Sequence, residues 1–118
     1  MAYVDGFVLP VPKKNIAEYR SMAKKCAKIW KDHGALEFRE SVADDVNVGK
    51  WTSFPRSVKL KSNETVVFSW IVYKSRKHRD SVMAKIMKDE RFAKMMNGKP
   101  PFDGKRMIVG GFKIIVDA

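Results

Sequence analysis

The sequence predicts an α+β fold, a ferredoxin-like β-α-β-β-α-β protomer with a four-stranded antiparallel sheet and both helices on one face. Three observations predict it. Four runs of strand character fall at residues 3–9, 36–43, 65–74 and 106–116. Two stretches of helical periodicity separate the first strand from the second and the third from the fourth. The resulting order is that of the split βαβ unit, and 118 residues suffice for one such domain, 1–118, with a core needing neither disulfide nor metal.

The elements follow in order. "YVDGFVL" reads as a first strand ended by Pro10 and Pro12. Asn15 followed by Glu18 has the form of a capping box, after which Ile16, Tyr19, Ala23, Cys26, Ala27 and Trp30 recur at helical spacing. Lys24, Lys25, Lys28 and Lys31 point mainly the other way, and Gly34 closes the helix. In the second strand Leu36, Phe38 and Val42 alternate with Glu37, Arg39 and Ser41, a pattern suited to a sheet edge. Between strands three and four, Val82, Met83, Ile86 and Met87 form the apolar side of a helix over 76–88 that continues toward 96. "KPPFDGK" turns the chain into the last strand. The connection 44–64 is far longer than the roughly 2–5 residues of a hairpin. It carries Trp51, Phe54, Val58 and Leu60, so it is expected to pack as a flap or short helix.

Composition narrows the function classes. The formal charge is +11, but lysines outnumber arginines 17 to 7 and are spread along the chain, which fits a solvated surface better than a nucleic-acid face. Cys26 is the only cysteine, so no intrachain disulfide can form; a reducing, cytoplasmic setting is expected. Its place on the apolar stripe makes it a core thiol. No apolar run approaches the roughly 18 residues of a membrane-spanning helix, and the N-terminus lacks signal-peptide features. His33 and His78 are the only histidines, so no metal site and no cofactor is expected.

Strand three is apolar on both faces: Val66, Phe68, Trp70 and Val72 on one, Val67, Ile71 and Tyr73 on the other, with Ser69 the polar exception. Strands one and four repeat this pattern. Helices can cover only one face. Covering several hundred Å² of the other at about 25 cal/mol per Å² would stabilise a complex by on the order of 10 kcal/mol before association costs. A second copy of the same sheet is the expected cover, making the protein its own partner in a homodimer; the alternative is the flap 44–64 folding back.

The blocks "YVDGFVLPVP", "HGALEF", "ADDV" with "TSFP", "FSWIVYKSRKHRD" and "PFDGKRMIVGGF" resemble the signature of the YbaA-like family, a family of unknown function in the dimeric α+β barrel superfamily. The resemblance runs in order from Tyr3 to about Asp117. It implies a ferredoxin-like protomer pairing as a dimeric α+β barrel. The superfamily includes cofactor-independent monooxygenases, isomerases, haem-handling enzymes and proteins with no known activity, so the resemblance is compatible with cofactor-free enzyme activity and implies no particular reaction.

Polar residues within apolar strands are the candidate site. Asp5 interrupts strand one, either as an acid or base with a raised pKa or as the partner of an arginine. Glu37 is the second candidate for handling protons. Arg76 and Arg79 lie in the predicted first turn of the second helix, where cations oppose the helix dipole. They suit either an anion site or ion pairs with Asp5, Glu37, Asp44 or Asp45. Arg106 belongs with them, and Trp70 is placed to stack on a ligand. The leading reading is a small, anionic organic ligand held between sheet and helices. The runner-up is a basic RNA-associating protein without catalysis, and a structural dimer without ligand is the third.

Overall fold

The computed structural model describes residues 1–118. Its elements are β1 (Tyr3–Pro12), α1 (Ile16–Asp32), β2 (Glu37–Val42), α2 (Phe54–Ser57), β3 (Glu64–Tyr73), α3 (Arg76–Ile86), α4 (Glu90–Met95) and β4 (Ile108–Lys113). The strands form one antiparallel sheet in the order β2-β3-β1-β4, the ferredoxin-like order.

β1 runs straight through the two prolines expected to end it. Ala2 accepts a hydrogen bond from Ile114 N–H, and Lys13 N–H bonds to Asn63 beyond β3. Even-numbered backbone groups of β1 therefore face β4 and odd-numbered ones face β3. Pairing with β4 ends at Val8, so the nitrogens of Pro10 and Pro12 point where no ladder partner exists. β4 is shorter than expected: its last bond to the β1 side is Ile114 N–H to Ala2 O, and Ile115 and Val116 stand exposed.

α1 lays Tyr19, Ala23, Ile29 and Trp30 onto the sheet. It ends at Gly34, whose φ of 110° is a left-handed conformation that glycine adopts without strain. Asn15 does not cap the helix; its side-chain amide donates instead to Pro101 O at 3.1 Å, tying the segment before β4 to the start of α1. The second helical stretch breaks in two. Asp89 adopts an extended conformation and caps α4 by accepting from Arg91 N–H at 2.8 Å. It also meets His33 Nε2 at 2.7 Å. A carboxylate that competes for backbone donors favours such a break over an unbroken helix to 96.

The face of the sheet under the helices contributes Tyr3, Leu9, Val11, Val67, Ile71 and Tyr73 to the core. Gly111 lies on this face opposite Asp5, and a Cβ there would run into the Tyr3 ring and hydroxyl. Gly111→Ala is expected to cost roughly 2 kcal/mol through forced movement of that ring, read as a lower urea midpoint.

The other face carries Val4, Val8, Phe68, Trp70, Val72, Ile108 and Phe112. α2 covers one corner, where Val66 and Pro10 are buried beside Val58. The Phe54 ring lies 5.8 Å from Phe68, which lies 5.5 Å from Trp70. Arg56 folds the flap onto itself through the carbonyls of Val48 and Gly49. Beyond that corner the face stays open: Phe68 is 42% exposed, Ile108 45% and Phe112 62%. No helix is long and apolar enough to cross a membrane.

Candidate ligand cavity between α1 and the sheet

The residues singled out from sequence do not converge. Asp5 is buried under the helices and accepts from Arg79 Nη1 at 2.6 Å. The Tyr73 hydroxyl lies close enough to lower the carboxyl's pKa, and itself accepts from Trp30 Nε1–H at 3.1 Å. Arg79 lies over the Tyr3 ring, 4.9 Å from its centre, and its Nε bonds Asp80. Burial raises the Asp5 carboxyl above the ordinary aspartate range, with Arg79 acting against that shift. Glu37 and Trp70 lie on the opposite, open face, joined by an indole N–H bond of 2.9 Å. That bond, aided by Arg39, holds the Glu37 carboxyl below its usual range.

Arg106 is fully engaged. It grips Glu64 with two bonds of 2.8 and 2.6 Å, Asp103 with its Nε, and the Lys59 carbonyl. This joins the start of β3 to the start of β4. Arg76 is exposed and without an ion pair, in the first turn of a helix that Ser75 caps. His33 and Asp89, with Arg91, clasp α4 to the end of α1.

A cavity between sheet and helices does exist, made of other residues. It has a volume of about 380 Å³ and runs from the floor of Phe7, Leu9, Phe38 and Ile71 up to α1, roofed by α4 and the segment leading to β4. Its walls are mainly aromatic rings and sulfur: Trp30, Phe92 and Phe102 with Met22, Met95, Met107 and Cys26. Asp5 is not among its lining residues. A more open groove of about 500 Å³ lies along the other flank of α1, with Arg20 and Lys24 among its lining residues.

The two concavities share Tyr19, Ala23, Phe38 and Glu40. Ala23 is the small residue beneath α1 that leaves this space. Glu40 is the polar centre. The Tyr19 hydroxyl donates to its Oε1 at 2.8 Å, and the buried Ser69 lies directly opposite it on the neighbouring strand. Glu40 is exposed as a residue because both concavities open onto it, yet burial among apolar neighbours raises its carboxyl above the ordinary glutamate range. Burial, with Glu40 nearby, pushes the Cys26 thiol up to about 11, and raises the Tyr19 phenol as well. At neutral pH both are therefore uncharged hydrogen-bonding groups, poor nucleophiles rather than activated ones.

Glu40 was missed because it sits in a charged edge strand, yet a signal was present. Leu36, Phe38 and Val42 form the apolar side of β2, and Glu40 interrupts that parity as Asp5 interrupts β1 and Ser69 interrupts β3. The register confirms this placement by pairing Glu40 with Ser69 and Phe38 with Ile71.

Comparison with known proteins agrees with this architecture. An uncharacterized protein YbaA of Escherichia coli K12 is 50% identical over 117 residues, covering 99% of both chains. The Shigella flexneri protein of the same name matches equally. A crystal structure of a dimeric ferredoxin-like protein from an uncultured marine organism superposes with a TM-score of 0.55 over 100% of both chains, at 12% identity, which supports the fold. The profile described as protein of unknown function (DUF1428) matches residues 2–104. The chain therefore belongs to the DUF1428 family, whose function is unknown.

Proposed function

We propose that this protein is a cytoplasmic homodimer, with 1–118 as its single domain, that binds a small, largely apolar organic molecule in the cavity beneath α1. One observation carries the reading: about 380 Å³ of space walled by aromatic and sulfur side chains, with a hydrogen-bonded carboxylate, a phenol and a hydroxyl at one side. A few polar groups set in an apolar concavity are the usual makeup of a small-molecule site. Arg79 and Arg106 are consumed by Asp5 and Glu64 and do not line the cavity, and Arg76 lies outside it, so none of these three serves an anionic ligand there; the charged residues in its lining are Arg39 and Lys99 with Glu18 and Glu40. Cofactor-independent proton transfer in this space would run through Glu40. The dimer is supported by the open apolar sheet face and by the dimeric state of the marine neighbour.

A thermal-shift titration tests the cavity. A neutral probe such as phenylbutanol is expected to raise Tm in a saturable way, following the logarithm of ligand concentration. Ala23→Leu, which fills the gap under α1, is expected to reduce the shift strongly. No shift with apolar neutral probes would sink the reading.

A further inference from the structure

We propose that the cavity selects a small organic cation, an amine carried on an apolar body, with Glu40 as its counter-ion; this rests on the ligand-cavity reading above. Glu40, which lines the cavity, differs from the buried and half-buried carboxylates of the chain. Asp5 has Arg79, Glu64 has Arg106, and Asp89 has Arg91 and His33. Glu40 has only the neutral hydroxyls of Tyr19 and Ser69. Scarcity of cations does not explain this, because Lys and Arg number 24 against 13 acidic residues. Arg20 and Lys24 line the adjoining groove, and Arg39 and Lys99 the cavity itself, yet none of them forms an ion pair with Glu40; Arg39 pairs with Glu37 instead.

A carboxylate set against apolar and aromatic walls without a cation of its own is poorly compensated, and a ligand that brings the cation relieves that cost. Burial raises the Glu40 carboxyl, and its neutral partners offset that only in part.

The walls suit the same ligand. The Trp30 ring stands edge to Phe38 with centroids 6.1 Å apart and to Phe92 at 5.5 Å, and all three line the cavity with Glu40. Aromatic faces attract an ammonium group and pack equally well on its hydrocarbon part. The bulk field works the other way: a net charge of +11 draws anions to the surface and repels amines. A preference for the amine would therefore have to come from the cavity itself.

Calorimetric titration with phenylbutylamine, phenylbutanol and phenylbutyrate separates these contributions. The wild-type protein is expected to bind the amine about tenfold or more tighter than the alcohol, and the carboxylate weakest. Glu40→Gln should bring the amine to within about threefold of the alcohol, the two affinities being compared within the same variant. If the alcohol binds as tightly as the amine, or the carboxylate binds best, the cation assignment is wrong while the cavity stands. An amine preference that survives Glu40→Gln equally overturns it. If none of the three binds, both readings fail. The wild-type order decides alone should the variant not fold.

Discussion

Arg79→Ala is expected to lower folding stability by about 3 kcal/mol, the lower end of what removing one member of a buried ion pair costs. The lower end applies because the Arg79 side chain is 21% exposed, against 9% for Asp5. Removal leaves Asp5 buried with only the Tyr73 hydroxyl beside it, and uncovers the Tyr3 ring. The loss should depend on pH. In the folded wild-type protein the Asp5 carboxyl is already raised, so the native state holds a proton more readily than the unfolded chain, and stability falls as pH rises through that window. Without Arg79 the carboxyl rises further and the window extends upward. The variant's deficit should therefore be smaller at about pH 4 than at about pH 8 in urea melts. Pairing Asp5→Asn with Arg79→Met should recover most of the stability, since both charges then leave together. A deficit independent of pH would show that Arg79 contributes by packing alone.

Phe112→Lys is expected to abolish dimerisation while leaving the protomer folded. Phe112 is 62% exposed on the open face and lies opposite Val4 in the sheet, so a lysine there can stay solvated in an isolated protomer. Across a twofold interface the substitution occurs twice, burying two charges among Phe68, Trp70, Val72 and their counterparts. Loss of a central aromatic anchor typically costs about 2–4 kcal/mol, and the doubled effect should weaken association at least about a hundredfold. Circular dichroism should be unchanged while gel filtration shifts to the smaller species. Lys113→Ala, on the adjacent residue of opposite parity, is the control expected to leave the dimer intact.

The fold was largely legible because its signals are local. The double apolar character of β3 and the stripe on α1 survive in any context that buries them. The errors lie where an element's fate depends on a distant one. Pro10 and Pro12 stay in β1 only because β4 has ended beside them. The helix break at Asp89 depends on His33 and Arg91 as well as on Asp89 itself. Asn15 reads as a cap until Pro101 is brought within reach. The site was harder, since a charged residue in a strand gives no hint of whether a partner of opposite charge awaits it. Asp5 has one and Glu40 has none, a difference that tertiary structure alone reveals.

Sedimentation equilibrium at micromolar concentration tests the central claim, that the open apolar face is met by a second copy of the chain. The account predicts a mass of twice 13.5 kDa, stable to high salt because the contact is apolar, and reduced to a single chain's mass by Phe112→Lys. A wild-type protein sedimenting at 13.5 kDa, or a dimer indifferent to Phe112→Lys, would contradict it.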